Sequence, residues 1–308
     1  MGKRKKGQPV SGWLVLDKPH GMSSTQALGR VRWLLDAQKG GHGGTLDPLA
    51  TGVLPLAFGE ATKTLPFVLD KSKTYQFEVT FGTATTTADV EGEVTETSAH
   101  IPAQQDIEAI LRQFTGDIEQ TPPAYSAIKI DGERAYKKAR KGEEVEMQAR
   151  KVTIYGLKML SCGAKTATFE AEVSKGTYIR SLGVDIARAS GSCGHITKLR
   201  RVLVGNMDIQ NAIPLEEVEK KVANSGGKGH IPPNLLFETD WVLDDILACQ
   251  VSAADADRLK HGQSIALPDA PQGLVRAKSE AGELISLLEV AADGSTIIVR
   301  NFNMNDIA

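Results

Sequence analysis

The chain has 308 residues, of which 41% are hydrophobic and 24% are charged. This length and composition predict a globular protein with one large domain, one small domain and an ample core. No run of 18 apolar residues occurs, which excludes a membrane-spanning helix of the usual kind. The basic start is followed by no apolar segment, so a signal peptide is not expected.

The cysteines indicate the compartment of the protein, and the charge distribution indicates the kind of partner it binds. Cys162, Cys193 and Cys249 lie far apart and in no paired spacing, so we expect a reducing cytoplasm rather than a disulfide framework or a zinc site. Net charge is −2, but residues 1–40 carry eight Lys/Arg against two Asp/Glu, and residues 129–201 carry sixteen against eight. Two basic blocks on an otherwise acidic chain predict a nucleic-acid-binding face, although solvated surface clusters are the simpler interpretation of either block alone.

The N-terminal elements can be predicted in order. Residues 1–10 form a basic arm that we expect to be disordered and to meet phosphate. Trp13–Leu16 is predicted to be a buried strand. Ser23 or Ser24 then caps a helix whose apolar residues recur at helical spacing; these are Ala27, Leu28, Val31, Leu34 and Leu35.

A glycine-rich stretch from Lys39 to Pro55 is the best candidate for chemistry. It holds one carboxylate, Asp47, which Pro48 follows, so the segment is predicted to be a fixed loop rather than a helix. A phosphate-cradling loop would need a Lys after the last glycine, and a paired-carboxylate glycosidase would need a second acid nearby. An ordinary turn capped by Asp47 remains the plain alternative.

The middle of the chain alternates strands and helices. In residues 74–81 the apolar positions share one face, so Tyr75 is predicted to point inward, either as a core residue or toward a ligand. Residues 107–114 have the spacing of an amphipathic helix. Residues 120–129 are predicted to be extended because of two prolines, and a basic run follows over residues 134–141 in a helix or loop that would face RNA or simply solvent.

The next segment supplies a second candidate site residue. Strands are predicted at 152–157 and 166–173, and a short helix from Ser181 to Ala189. Tyr178 and Arg180 would be delivered at the end of the second strand. Arg180 would keep Asp47 ionised in a closed pocket, although a structural ion pair is the alternative. Residues 193–201 form another basic cluster.

The C-terminal third is predicted to be a separate small unit. The division is a catalytic domain over residues 11–222, a Gly/Pro-rich linker over 223–239 and a β-rich accessory domain over 240–308. A helix is expected at 253–260, with strands at 265–267, 274–278, 284–290 and 296–302. Five Lys/Arg against eleven Asp/Glu make residues 240–308 an unfavourable primary RNA-binding surface.

Four motifs together carry a specific resemblance. They are LDKPHGMS (16–23), GHGGTLDPLATGVLP (41–55), QTPPAYSAIK (120–129) and KGTYIR (175–180). In this order they resemble the TruB family, the bacterial tRNA pseudouridine-55 synthases, over residues 12 to about 205. The resemblance implies an α+β fold with a mixed, mostly antiparallel sheet, flanking helices and a small C-terminal β-rich domain.

The resemblance also implies roles for individual residues. Asp47 would be the nucleophile or the base that removes a sugar proton, and Tyr75 would stack on a flipped uracil. Arg180 would pair with Asp47 and Asp89. His42, Tyr178 and Leu199 would complete substrate binding together with Lys18. RNA-backbone contacts are expected from a basic set: Lys129, Lys137, Lys138, Lys141 and Arg200.

The same resemblance implies the partners of the chain, and at Thr86 the chain departs from the family pattern. We expect the tRNA T-arm and T-loop as substrate, a monomer, and neither metal nor cofactor, because no redox step or electron sink is required. The family often carries an Asp where this chain has Thr86, which predicts a reduced polar network. A non-catalytic RNA-folding factor using the same basic face, and a metal-dependent phosphohydrolase acting through Asp47, remain as alternatives.

Overall fold

A computed structural model describes residues 7–126, 128–130, 132–141, 143 and 145–303. The side chains of residues 129, 130, 134, 137 and 140 are outside this description. Residues 1–6 of the predicted basic arm also lie outside it. No described helix is long and apolar enough to cross a membrane.

The elements alternate through most of the chain. The strands are β1 (Gly12–Lys18), β2 (Gly40–His42), β3 (Thr51–Phe58), β4 (Lys73–Phe81), β5 (Thr83–Thr85), β6 (Val94–Thr97), β7 (Gly116–Gln120), β8 (Lys129–Ile130), β9 (Glu133–Arg134), β10 (Arg150–Cys162), β11 (Thr166–Val173), β12 (Gly194–Val204), β13 (Met207–Asp208), β14 (Ile213–Pro214), β15 (Ala248–Gln250), β16 (Gly273–Lys278), β17 (Leu284–Val290) and β18 (Thr296–Asn301). The helices are α1 (Ser24–Leu34), α2 (Leu65–Asp70), α3 (Gln104–Leu111), α4 (Ala135–Arg140), α5 (Ile179–Ala189), α6 (Leu215–Asn224) and α7 (Ala253–Lys260).

A large mixed sheet organises the protein. Its strand order is β14-β1-β3-β12-β4-β11-β10-β7, with β2 paired to β3 and β13 to β12. The β14–β1 and β12–β3 pairings are parallel, and the other pairings along this path are antiparallel. The predicted fold class, a mixed and mostly antiparallel sheet with flanking helices, is confirmed.

Strand β1 shows why one apolar run can serve two cores. Successive side chains of a strand point to opposite faces of the sheet. Leu14 and Leu16 therefore join the main core with α1 and α5, whereas Trp13 and Val15 join a second core on the other face. All four side chains are at most 1% exposed.

The C-terminal sheet closes the second core. It has the order β15-β16-β17-β18, and Leu284, Leu287 and Phe302 pack with Trp13 and its neighbours. The segment 223–239, which the sequence predicts to be a linker, also meets β1. The backbones of Phe237 and Trp13 exchange hydrogen bonds of 2.8 and 2.9 Å.

Several elements differ in detail from the sequence-based expectation. Helix α5 begins at Ile179 rather than Ser181, so Arg180 stands in the first helical turn and not on a strand. Residues 265–267 form no strand of their own, and only Ala266 makes an isolated bridge, to Ser295. The basic cluster 193–201 belongs to β12, a strand inside the large sheet that the sequence analysis did not predict.

Candidate active site

The loop that carries Asp47 is fixed from both sides. It joins β2 to β3 over residues 43–50. The Ser24 hydroxyl, at the start of α1, accepts the Leu46 N–H at 2.7 Å and donates to the Leu46 carbonyl at 3.1 Å. Where β3 begins, Gly52 has φ +99°, and a Cβ there would lie 2.1 Å from the Arg201 carbonyl oxygen. Glycine is thus required for the loop to approach β12 this closely.

Arg180 is the principal partner of Asp47. Its Nε lies 2.8 Å from Asp47 Oδ2, although the N–H direction falls outside hydrogen-bond geometry, so the contact is an ion pair. The two terminal nitrogens donate to the carbonyls of Thr87 and Tyr125, each at 2.8 Å. With 3% of its surface exposed, the guanidinium is held on three sides. This rigid fork presents one edge to the carboxylate.

The environment of Asp47 opposes its ionisation. The Asp47 side chain is 36% exposed and lines a cleft, and protein surrounds its other sides. Burial raises the pKa of Asp47 above its ordinary value; the Arg180 charge lowers it, and Asp89 raises it further. The carboxylate is therefore a stronger base than a surface aspartate, and Arg180 is the main group favouring its charged form.

A second carboxylate supports Arg180 from behind. Asp89 is 2% exposed, and its Oδ2 lies 3.6 Å from Arg180 Nη1. Its Oδ1 accepts the Thr87 hydroxyl and the Glu91 N–H. Thr86, where the family often has an acid, accepts the Glu93 N–H through its hydroxyl instead. The sequence-predicted pairing of Asp89 with the arginine is therefore present in the geometry.

Lys18 lies beneath the same loop. Its ammonium donates to the carbonyls of Pro19, Met22 and Pro48, and the residue is fully buried. Burial lowers the pKa of Lys18 to about 8, while the Asp47 charge raises it. It remains a cation at neutral pH that ties the end of β1 to the residue after Asp47, rather than a group in the cleft lining.

A cleft of ≈ 540 Å³ opens beside Asp47. This is within the usual range of ligand sites, about 300–1,000 Å³. Tyr75, Tyr178 and Leu199 line it with Asp47 and Arg180, as the sequence analysis predicts. A second recess of ≈ 920 Å³ shares Asp47 and Arg180 with the cleft and is lined by His42. The ion pair thus stands where the two spaces meet.

His42 is neutral and partly enclosed. Its Nδ1 is buried and has no hydrogen-bond partner among the described residues. Burial, and secondarily the nearby Arg201 charge, lowers the pKa of His42. An uncharged ring with such a polar atom, close to the loop carrying Asp47, can occupy space or bond a nucleotide group without adding charge.

Arg201 is a site residue that the sequence analysis missed. It is 1% exposed, and its Nε donates to the Val53 carbonyl at 2.7 Å and Nη2 to the Gly44 carbonyl at 3.1 Å. Nη1 lies 3.5 Å from the Tyr75 hydroxyl. The available signal was alternation: Leu199 and Arg201 are two residues apart on one strand and therefore share the cleft face.

The same alternation turns Arg200 away from the cleft. Its guanidinium pairs with both oxygens of Asp17 at 2.7 and 3.1 Å. Among the other predicted RNA-backbone residues, Lys141 is exposed and pairs with Glu133 at 3.1 Å. Lys138 lies on α4. The side chains of Lys129 and Lys137 lie outside the described part of the structure. Contact of this set with RNA stays a prediction.

Ser126, which lines the cleft, and Gln120, which bonds the lining residue Tyr178, lie in the motif at 120–129, but the sequence analysis gave neither of them a role. Ser126 lines both spaces, and its buried hydroxyl has no partner in the described part of the chain. Gln120 is 1% exposed and bonds the backbone of Tyr178. Within the described residues, no three His, Cys, Asp or Glu side chains come together as a metal-binding group.

Comparison with known proteins identifies the family of this chain. The sequence model of the TruB family pseudouridylate synthase N-terminal domain matches residues 32–179, and that of the tRNA pseudouridylate synthase B C-terminal domain matches residues 180–248. The chain belongs to the TruB family of pseudouridylate synthases. The resemblance drawn from the four motifs is confirmed, as is the prediction of an isomerase.

Individual relatives cover nearly the whole chain. The tRNA pseudouridine synthase B of Caulobacter vibrioides is 49% identical over 87% of this chain and 85% of its own length. That of Bradyrhizobium diazoefficiens is 48% identical over 99% of this chain and 89% of its own. A solved H/ACA ribonucleoprotein bound to a substrate RNA containing 2′-deoxyuridine contains a chain of the same fold, with TM-score 0.73 and 20% identity over 99% and 92% of the two chains.

Proposed function

We propose that this family member isomerises uridine 55 in the T-loop of tRNA, with Asp47 as the catalytic group. Conversion of a tRNA uridine to pseudouridine follows from membership of the family; the position and the residue roles are our proposal. The observation that carries the assignment of Asp47 is the Asp47–Arg180 ion pair where two cleft spaces meet, one of which Tyr75 also lines.

The reaction requires a reactive base and a protected space. The bond between C1′ and N1 of the uridine breaks, the uracil turns, and C1′ bonds C5; the C5 proton is lost and N1 gains one. Asp47 either attacks the sugar or removes a sugar proton. In both cases it must be ionised while facing the cleft, which the Arg180 charge favours.

The substrate must also leave its stacked position, because a base inside folded RNA cannot reach Asp47. We assign the 540 Å³ cleft to the flipped uracil, with Tyr75 stacking on it and Tyr178 and Leu199 completing the wall. His42, in the second recess, would fill or support the space that the base leaves. Tyr75 is also placed to assist removal of the C5 proton.

The supporting residues act on these groups rather than on substrate. Asp89 holds Arg180, and Lys18 fixes the loop after Asp47.

RNA phosphates are proposed to be contacted by a separate basic set: Lys129, Lys137, Lys138, Lys141 and Arg200. A monomer acting in the cytoplasm without a cofactor completes the proposal, together with the division into catalytic domain 11–222, linker 223–239 and accessory domain 240–308.

The test is a position-resolved assay on an unmodified tRNA transcript, with a chelator present. Pseudouridine should form at position 55 and nowhere else, and a transcript with cytidine at that position should remain unmodified. Asp47→Asn should bind the transcript without product. Modification at another uridine would contradict the positional assignment. A requirement for metal, or tRNA refolding without product, would favour one of the two alternative functions.

A further inference from the structure

Tyr178 is held by two residues that no motif analysis assigned to the site. It is the N-cap of α5, in extended conformation, and no side chain caps that helix end. A half-buried tyrosine at an uncapped helix start has no intrinsic reason to keep one orientation. Its orientation must come from neighbouring elements.

Gln120 fixes the backbone of Tyr178. Its Oε1 accepts the Tyr178 N–H at 2.7 Å, and its Nε2 donates to the Tyr178 carbonyl at 3.1 Å. Both bonds are made by one side chain that is 1% exposed. Because a buried amide left without partners is costly, this pair of bonds fixes the position of the helix start.

Arg150 fixes the ring of the same residue. Its guanidinium carbon lies 4.9 Å from the Tyr178 ring centroid, and its Nη2 donates to the Gly176 carbonyl. Gly176 has φ +86°, and a Cβ there would touch the guanidinium at 3.4 Å. No described carboxylate pairs with Arg150, so its charge is directed to the ring and the carbonyl.

The two residues are a cross-strand pair. Gln120 is the last residue of β7, and Arg150 is the first of β10 and lies directly opposite it. Between them, the described residues of the segment 121–149 pair with no strand of the large sheet, and they include helix α4. Both ends of this segment therefore meet at one wall of the cleft.

We propose that Gln120 and Arg150 are positioning residues that hold Tyr178 in the orientation needed for the uracil pocket. The inference rests on the proposed role of Tyr178 in that pocket. Arg150 acts through the ring and not as a phosphate contact, since its guanidinium carbon lies over the ring and one of its nitrogens donates to the Gly176 carbonyl. Gln120 acts through the Tyr178 backbone.

A double-mutant cycle tests the assignment to Arg150. Single-turnover rates at saturating tRNA would be measured for wild type, Arg150→Met, Tyr178→Leu and the double variant. Arg150→Met should slow the reaction by up to about 30-fold, the limit set by a desolvated cation–π contact. In the Tyr178→Leu background the same change should have no further effect. Lys158→Met, on the same strand and exposed, is the matched charge control.

Affinity against salt separates positioning from phosphate binding. Arg150→Met should leave the salt slope of tRNA binding unchanged. Arg150→Lys should lose part of the rate, because lysine lacks the second nitrogen with which Arg150 holds the Gly176 carbonyl while its guanidinium carbon lies over the ring. Gln120→Met should lower the rate at saturation without changing the slope. If Gln120→Met does not fold, the measurements on the Arg150 variants still test the proposal.

Two results would contradict the proposed role of Arg150 without contradicting the role of Tyr178 in the pocket. Independent, multiplying effects of Arg150→Met and Tyr178→Leu would show that Arg150 does not act through the ring. A slope reduced by about one unit would show a phosphate contact instead. If Tyr178→Leu alone leaves the rate unchanged, the assignment of Tyr178 to the pocket fails, and the inference with it.

Discussion

At the scale of single residues, the proposed chemistry depends on how Arg180 is held. Its terminal nitrogens are engaged by the carbonyls of Thr87 and Tyr125, and only Nε is left to face Asp47. The guanidinium therefore cannot turn without breaking two partly buried hydrogen bonds. Asp47, in contrast, keeps an open side toward the cleft. A fixed cation beside an accessible base is the arrangement that the proposed role of Asp47 requires.

Arg180→Lys should remove most activity while the fold survives. Lysine retains the charge, but one nitrogen cannot reach two carbonyls and the carboxylate together. We expect the single-turnover rate to fall by about 100- to 1,000-fold, as for loss of a preorganised electrostatic group. Arg188→Lys, an exposed change on the same helix, is the control. A wild-type rate in the Arg180→Lys variant would make Arg180 a purely structural residue.

The pH dependence of the rate should reveal the raised pKa of Asp47. Because the folded-state pKa is above the ordinary value, the carboxylate becomes protonated at a higher pH as the solution is acidified. Activity should therefore fall on the acid side at a pH above about 3.9, the ordinary pKa of an aspartate. Single-turnover rates from neutral to acid pH measure the midpoint. A rate that stays constant down to that ordinary pKa would contradict the assignment.

At the scale of elements, the site depends on the close approach of β3 and β12. Gly52 permits it, and alternation along β12 sends Leu199 and Arg201 to the cleft and Arg200 to Asp17. One strand therefore contributes both a pocket wall and the support for the loop before Asp47. The loop and β12 are a single structural unit.

Gly52→Ala should destabilise the protein more than Gly116→Ala, although both glycines have a positive φ. Positive φ alone costs an alanine about 1–2 kcal/mol. At Gly116, with φ +94°, a Cβ would meet nothing within 4 Å, whereas at Gly52 it would meet backbone at 2.1 Å. Urea unfolding of Gly52→Ala and Gly116→Ala measures the difference. Equal losses of unfolding free energy would show that the close approach is not constraining.

Some of these elements could be predicted from the sequence and others could not, for identifiable reasons. The β4 alternation and the α1 cap are local signals, and these elements appear where expected. Strand β12 was missed because register shifts between Ile196 and Lys198 and between Arg201 and Leu203 break its period of two. The motif resemblance supplied Asp47, Tyr75 and Arg180. It could not supply Arg201, which lies outside the four motifs, or the role of Gln120, which depends on a contact between β7 and the start of α5.

At the scale of the whole molecule, charge and packing divide the chain differently. Both basic blocks, residues 1–40 and 129–201, lie in the first 201 residues of the sequence, and residues 240–308 are acidic. Yet the C-terminal sheet completes a core with Trp13 and Val53 on β1 and β3. We therefore expect the C-terminal part to contribute stability more than RNA affinity. Deleting it would expose that core, so charge substitutions are the cleaner test of RNA binding.

Replacing Lys137, Lys138 and Lys141 by Gln should flatten the dependence of tRNA affinity on salt. Each lost phosphate contact removes roughly one unit, so the slope should fall by about two to three. The matched triple change in the C-terminal part, of Arg258, Lys260 and Arg300 to Gln, should leave the slope nearly constant. Binding titrations at several salt concentrations compare the two. A larger effect of the C-terminal triple would place the main RNA contact there.

The most direct test of the account is single-turnover pseudouridine formation by Asp47→Asn, with tRNA affinity measured on the same preparation. The substitution removes a carboxyl whose charged form is disfavoured by burial, so folding should be retained. Affinity should remain close to wild type because it depends mainly on phosphate contacts. We predict that the rate falls by several orders of magnitude, as for loss of a catalytic group. A rate within tenfold of wild type would show that Asp47 is not the catalytic residue.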